Sequence, residues 1–411
     1  MDVKLGYLVP EFPGQTHAFF WREVQELELA GAEVTLLSTR PPVSAIASHA
    51  WGTEARARTA YLAAPGLSEC LSALALLSRS VLSSRFSAAL RALAPPPRSP
   101  VATVRTIAAA AVLAAHARRG GWSHVHVHSC AGSADVALAA RLLFSLTYSL
   151  TLHGPLSDYG PRQVEKWSHA AFGLIITETL TLATRETLGS ALPERLAVAP
   201  MGVRVSDMQR GRMYTPWAGE GTFEIFSCGR LNPAKGHDAL ITAIKRLHEM
   251  KIPARLVIAG EDEQGGNGYR RGLEALITQL DLDDHVELLG AVDEATVRDR
   301  LTRAHVFALA SHGEPLGVAI MEAMAMSVPV VVGDGGGVRE LVAEGTGLLV
   351  HPDVQALANA LHALARDPQS AAALSVAGRA HVIGRFDSRN GANTLLQHVR
   401  LTLSDPTDST P

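Results

Sequence analysis

Short apolar runs return along this chain, and most are followed by a segment whose apolar residues recur at helical spacing. Leu5 to Val9 leads into Phe19, Phe20, Val24, Leu27 and Leu29, a stripe that stops at Gly31 before the next run, Val34 to Leu37. An uninterrupted apolar run suits a strand buried on both faces, and strand–helix–strand units pack as parallel, right-handed crossovers. The pattern continues through His124–His128, Tyr148–His153, Gly173–Thr177 and Arg195–Ala199. It then stops over the aperiodic stretch Arg204 to Gly221. A second series follows: Glu224–Cys228, Arg255–Ala259, His285–Leu289, His305–Ala310, Val328–Val332 and Gly347–Val350. The chain is therefore predicted to be α/β, with doubly wound parallel sheets in two domains, residues 1–205 and 222–385, joined by a linker over 206–221. With 411 residues and 47% hydrophobic content, it can bury two cores. Helical spacing returns in Leu357, Leu361 and Leu364, from Ala371 to Val382, and from Asn393 to Leu403, so residues 386–403 are predicted to form a C-terminal helix. The polar, proline-punctuated residues 404–411 are expected to be disordered.

Charge and cysteine usage narrow the function classes. A formal charge of −3 provides no global basic field, which argues against nucleic acid as the main partner. Cys70, Cys130 and Cys228 are too widely spaced for a metal or disulfide framework, as in a reduced, cytoplasmic setting. Met1 to Lys4 runs into the first strand without the regions of a secretory leader, and no ~18-residue apolar stretch is free of charge, so no membrane span is expected.

The chemistry concentrates after the run His305–Ala310. Glu314 lies in the loop behind that strand, and Glu322 falls where Val318, Met321, Ala325 and Met326 repeat at helical spacing. Open α/β sheets bind ligands beyond the C-terminal ends of their strands. The N–H groups of Leu316, Gly317 and Val318 would open the helix, and such an end accepts anions. Carboxylates that accept hydroxyl protons, beside a phosphate-accepting helix end, suit a nucleotide sugar. Gly229, Arg230 and Lys235 stand in the loop after Glu224–Cys228, where backbone donors and two cations can serve one diphosphate.

The first domain offers less specific signals. Gly14, in the loop Phe12-Pro-Gly-Gln-Thr16, can approach a phosphate, with an ordinary turn as the competing reading. The alternation His124-Val-His-Val-His128 puts three imidazoles on one strand face; a row of this kind is poor geometry for zinc, and a histidine at the strand end facing a cleft is the favoured use. Residues 70–134 hold no Asp or Glu and carry Arg79, Arg85, Arg91, Arg98, Arg105, Arg118 and Arg119. Leu74, Leu77, Val81, Leu82, Phe86, Leu90 and Leu93 are read as the apolar face of one or two helices ended by Pro95 to Pro97. Covering the N-terminal sheet is the favoured reading of these helices, and contact with an anionic membrane is the alternative. Asp281-Leu-Asp283 has the outline of a metal motif but is read as a helix-to-strand connection.

Gly229-Arg230 with Lys235-Gly236, Glu314 with Glu322, and Gly336-Gly-Val-Arg-Glu340 together resemble glycosyltransferase family 4. Phe12 to Thr16, His126-Val-His128, Thr151-Leu-His153 and Pro200-Met-Gly-Val203 resemble members that build exopolysaccharide or colanic-acid-type units. The resemblance implies a GT-B fold, two Rossmann-like domains facing across a cleft, with the terminal helix crossing back to the first. It implies a retaining glycosyltransferase with a UDP- or GDP-sugar donor, no metal, and a saccharide acceptor that is polyprenyl-linked at the inner face of the cell membrane. On matching positions, Arg230 and Lys235 would bind the diphosphate, Glu314 the donor sugar, and Glu322 the ribose. His153 would meet the donor sugar, and His128 would line the same cleft. A non-catalytic nucleotide-sugar-binding scaffold and an enzyme acting on a soluble natural-product acceptor are the alternatives. The chain departs from the family pattern at Ser327, where glycine is usual, in the long acidic loop Gly260–Gly268, and at Thr16-His17.

Overall fold

The computed structural model describes residues 3–14, 17–42, 49–81, 83–93, 100–262 and 268–404. Thr16, Leu82, Pro95 to Pro97, Arg98, residues 263–267 of the acidic loop, and tail residues 405–411 lie outside them. Contacts divide the chain into two units: residues 1–47, 51–200 and 389–411 form the first, and residues 48–50 with 201–388 the second.

The first unit contains strands β1 (Lys4–Glu11), β2 (Glu33–Arg40), β3 (Ala60–Tyr61), β4 (His124–His128), β5 (Thr147–Leu152), β6 (Gly173–Ile175) and β7 (Leu196–Val198). They form one parallel sheet in the order β3-β2-β1-β4-β5-β6-β7. Only the two-residue β3 was absent from the sequence reading, because two residues carry no periodicity. Along β1 the pleat sends Leu8 to one core and Leu5, Tyr7 and Val9 to the other. Leu8, Val125, Val127 and Leu150 pack beneath helices Leu67–Ser80, Ser84–Leu93, Pro100–Gly120 and Gly132–Phe144. On the opposite face, helix Ala18–Leu29 contributes Phe20, Val24 and Leu27 to a core that also holds Leu395, Leu396 and Val399 of helix Ser388–Ser404.

Of the stripe read over these helices, Leu77, Phe86 and Leu93 pack against the core and Leu74, Val81 and Leu90 do not. In helix Leu67–Ser80 the buried residues are Ala73, Leu76 and Ser80, while Leu74 and Val81 are exposed. Small residues let this helix approach Ala114 and Ala115 of Pro100–Gly120 closely. The latter is long and apolar enough to cross a membrane by composition, although Arg105 interrupts it; 56% of its most apolar window is buried in the unit.

The second unit contains β8 (Phe223–Cys228), β9 (Ala254–Ala259), β10 (Val286–Gly290), β11 (Val306–Leu309), β12 (Val330–Gly333) and β13 (Leu348–Val350), in the parallel order β10-β9-β8-β11-β12-β13. Its core joins Ile225, Leu256 and Ala308 to Leu240, Ile244, Leu357 and Leu361 of the covering helices. Residues 206–221 have no helix or strand, yet this stretch is anchored in the second unit. The Arg210 guanidinium donates to the carbonyls of Leu301, Thr302 and Met326, the Tyr214 hydroxyl donates to the His305 carbonyl at 2.8 Å, and Trp217 enters the core. Ser327 has φ 58°, in the left-handed region that glycine enters freely and serine rarely. Asp281 to Asp283 lie in a helix-to-strand turn, where Asp283 accepts the Thr278 hydroxyl at 2.8 Å.

Candidate active site

In the second unit the loops that follow β8, β11 and β12 are stitched together by backbone bonds. After β8 the chain makes a 3-10 turn, Pro233–Lys235, and Gly236 leaves it at φ 62°. A Cβ on Gly236 would sit 2.2 Å from the Ala310 carbonyl oxygen, so glycine is what allows the β8 loop to lie against the end of β11. There the His312 N–H donates to the Ala234 carbonyl at 2.9 Å, and the Ser311 hydroxyl donates to the same oxygen at 3.2 Å.

Glu314 is fixed from the other side. Its N–H donates to the Gly335 carbonyl at 3.0 Å, and its carbonyl accepts from Gly337 N–H at 2.9 Å. Gly336, between them, has φ 81°, and a Cβ there would lie 2.4 Å from the Glu314 carbonyl oxygen. The sequence Gly335-Gly336 is thus a backbone clamp for a carboxylate more than twenty residues earlier. So held, Glu314 Oε2 accepts from Lys235 Nζ at 2.5 Å, with both side chains mostly buried.

Helix Val318–Ala325 follows, with Gly317 as its N-cap in a left-handed conformation and Leu316 buried beneath. Its first turn contains no acidic residue, leaving the positive end of the helix unopposed from within. Glu322 lies in this helix. Cys228, at the end of β8, is influenced by the charges of both Glu322 and Lys235, so the three share one neighbourhood. Burial chiefly, then the Glu322 charge, pushes the Cys228 thiol up to about 12, which makes it a neutral wall. Gly229 leaves room for the Lys235 stem, whose Cδ would be 3.7 Å from a Cβ there. Arg230 is exposed, and its carbonyl lies 3.4 Å from His237 Nε2. Burial pushes His237 down to about 4, keeping it neutral at the start of helix His237–Glu249. Gly229, Arg230, Lys235, Glu314, Leu316, Gly317, Val318 and Glu322 therefore lie together in one unit at the C-terminal edge of one sheet.

His128, His153 and Gly14 belong to the first unit. The imidazoles of β4 share one face, opposite Val125 and Val127. His124 Nε2 and His126 Nδ1 each lie 2.8 Å from the Ser149 hydroxyl, and His126 Nε2 lies 2.8 Å from the Thr151 hydroxyl, both on neighbouring β5. These are hydroxyl-paired core histidines. His128 differs: its Nε2 lies 2.9 Å from Glu23 Oε2 without hydrogen-bond alignment, and that oxygen accepts the Tyr7 hydroxyl at 2.6 Å. Its Nδ1 is 3.0 Å from His153 Nε2.

Proton counting along this row favours one pair of tautomers. The Glu23 carboxylate beside His128 Nε2 favours a proton on that nitrogen, which leaves Nδ1 to accept. His153 must then donate from Nε2, leaving a lone pair on its Nδ1, a buried atom without a donor among the described residues. Burial pushes both rings down to about 3, so they stay neutral. His153 follows the C-terminal end of β5. Gly14 accepts from the His17 N–H at 3.0 Å in the turn before helix Ala18–Leu29. Glu23 and Tyr7 escaped the sequence reading; the available signal was the paired alternation of histidines on β4 with Ser149 and Thr151 on β5, which marks a polar seam in need of a terminus.

Residues 218–381 match the family model of the glycosyl transferases group 1. That match covers most of the second unit. A GDP-mannose-dependent monoacylated alpha-(1-6)-phosphatidylinositol monomannoside mannosyltransferase of Corynebacterium glutamicum is 35% identical over 170 residues, 39% of this chain and 43% of that protein. A putative colanic acid biosynthesis glycosyltransferase, WcaL, of Salmonella typhimurium is 33% identical over 219 residues, 51% of this chain and 52% of its own. The chain spans about half the length of these curated relatives. Across the whole chain the fold is shared with sucrose-phosphate synthase from Thermosynechococcus elongatus, at 20% identity and TM-score 0.72, covering 98% of this chain and 100% of that one. Anabaena HepE in complex with UDP and glucose matches with 20% identity and TM-score 0.70 over the same shares. The two-sheet architecture is the GT-B fold.

Proposed function

We propose that the protein is a retaining glycosyltransferase that moves a sugar from a nucleotide-sugar donor to a saccharide acceptor. The observation that carries this reading is the Lys235–Glu314 pair, clamped by backbone at the head of helix Val318–Ala325. In this reading the donor diphosphate takes Lys235 from Glu314, with Arg230 and the N–H groups at Leu316 to Val318 adding positive potential where charge develops on the leaving group. Glu314, released from Lys235, accepts hydrogen bonds from hydroxyls of the donor sugar, and Glu322 from those of the ribose. The bond from the anomeric carbon to the phosphate oxygen breaks and the bond to the acceptor oxygen forms on the same face. The acceptor's proton passes to the leaving phosphate. His153 presents its Nδ1 lone pair to a sugar hydroxyl. UDP- or GDP-sugars are the proposed donors, supported by the GDP-mannose dependence in the names of relatives and by the UDP found with Anabaena HepE. The acceptor is proposed to be lipid-linked, in exopolysaccharide or cell-surface glycan synthesis at the inner face of the membrane; the WcaL relatives, named for colanic acid biosynthesis, support the glycan part of this reading.

The test is binding and turnover of UDP-, GDP-, ADP- and TDP-sugars, with and without EDTA, by the parent, Lys235→Ala and Glu314→Ala. One donor should bind and be slowly hydrolysed without metal, and each substitution should lower kcat/KM by about 100-fold or more. Failure of every donor to bind would favour the scaffold reading. Turnover by both variants at the parental rate would remove these residues from the chemistry.

A further inference from the structure

Helix Leu67–Ser80 is apolar on two opposite sides. The side formed by Ala73, Leu76 and Ser80 packs into the first unit. Leu67, Leu71 and Leu74, spaced i, i+4 and i+7, form a second stripe roughly half a turn away, and they are 78%, 60% and 63% exposed. Val81, one heptad beyond Leu74, extends this stripe and is also exposed. The first half of helix Pro100–Gly120 repeats the arrangement: Ile107, Ala110 and Ala111 are buried, while Val101 and Val104 are 58% and 66% exposed on the outer side with Arg105. A soluble helix normally places polar residues opposite its core face. Two helices of the same layer place leucine and valine there.

The charge around these stripes has one sign. Arg79, Arg85, Arg91, Arg105 and Arg118 are exposed, and residues 70–134 contain no carboxylate side chain. Glu69, just before that stretch, is engaged by Arg119 at 2.8 Å. A second copy of the same face would bring arginine against arginine. An acidic protein would satisfy the charge but leave the spaced leucines without a matching groove. Branched apolar side chains standing out among arginines fit an interface that is apolar just below a layer of negative charge. Since more than half of the most apolar part of Pro100–Gly120 is already buried against protein, this helix is placed to lie on such an interface and not to cross it.

We propose that the outer face of helices Leu67–Ser80, Ser84–Leu93 and the start of Pro100–Gly120 docks the protein on an anionic lipid bilayer, with Leu67, Leu71, Leu74, Val101 and Val104 entering the headgroup boundary and Arg79, Arg91 and Arg105 meeting lipid phosphates. It deepens the membrane-side part of the functional proposal and rests on that reading for its purpose, though not for its chemistry. Sedimentation with vesicles tests it, using pure phosphatidylcholine and an equal mixture of phosphatidylcholine and phosphatidylglycerol. The parent should bind the mixed vesicles, weakly or not at all the neutral ones, and release with added salt. Leu71→Glu/Leu74→Glu should weaken binding at least tenfold, as should Arg79→Glu/Arg91→Glu/Arg105→Glu. All these side chains are exposed, so circular dichroism should stay parental, and donor hydrolysis should be unchanged. Absence of binding to mixed vesicles, equal binding to both kinds, or parental binding by both variants would overturn the proposal. So would a dimer in light scattering that Leu71→Glu/Leu74→Glu dissolves. Loss of the vesicle result with donor hydrolysis intact would remove the surface and leave the transferase reading standing.

Discussion

At the scale of single residues, the decisive pairs are remote in sequence. Lys235 and Glu314 are 79 positions apart, and the residue types alone identify both as candidates without joining them. What joins them is backbone: the Ala234 carbonyl takes two bonds from Ser311 and His312, and Gly335 and Gly337 hold Glu314. His153 is a similar case. Its imidazole is legible as a strand-end histidine, but its proton position depends on Glu23 through His128. Nitrogen-15 NMR of histidine-labelled protein at neutral pH should find His128 and His153 both protonated on Nε2, with His153 Nδ1 bare. A His153 ring protonated on Nδ1 would break the chain of reasoning at its first link. Tyr7→Phe, which leaves Glu23 facing His128, should preserve both tautomers.

At the scale of elements, β4 carries a liability that its alternating sequence hints at. Burial pushes His124, His128 and His153 down to about 3 and His126 well below its usual value; Arg195 further lowers His124, while the Glu23 charge partly offsets the effect on His126 and His153. Above the ordinary imidazole value these rings are neutral whether folded or unfolded, and their full contribution is present. As pH falls through about 6.5 the unfolded chain takes up protons that the folded one refuses, so stability drops by up to about 1.4 kcal/mol per pH unit for each ring. The loss continues towards the folded values near 3. In the second unit, among the described residues, His237 alone is held as low as about 4. Hydrogen exchange should therefore show β4 and β5 losing protection more than β8 and β9 between about pH 7 and about pH 5. Equal loss in the two sheets would contradict this. The same strand shows how far a pattern reaches: alternation put the imidazoles on one face, but the hydroxyl partners became visible only when β5 was laid beside β4.

At the scale of the whole molecule, chain order and unit membership part company. Helix Ser388–Ser404 comes after the second unit in sequence, yet Ala392, Leu395, Leu396 and Val399 complete a core built on β1 and helix Ala18–Leu29. Leu395→Ala should cost about 2–5 kcal/mol. The loss should appear as faster exchange in β1 and β6, with β8 and β11 unchanged. Destabilisation confined to the second unit would refute that assignment. The stretch 206–221 makes the complementary point. Its lack of periodicity read as a linker, but Arg210, Tyr214 and Trp217 tie it to the second unit through carbonyls that no pattern in the stretch itself announces.

By itself the sequence determined the strands of both parallel sheets apart from β3, and the charged and glycine residues that gather at one edge of the second sheet. These are local properties: an apolar run must be buried wherever it goes, and a loop after a buried strand must emerge at the sheet edge. Tertiary structure alone decided that Lys235 and Glu314 pair, that Glu23 comes against His128 and His128 against His153, and that Ala73 and Leu76 pack while Leu71 and Leu74 face outward. Hydrophobicity ranks what can be buried. When a helix is apolar on two sides, the choice between them falls to the fit of its neighbours, and here small residues won because they let two helices approach closely.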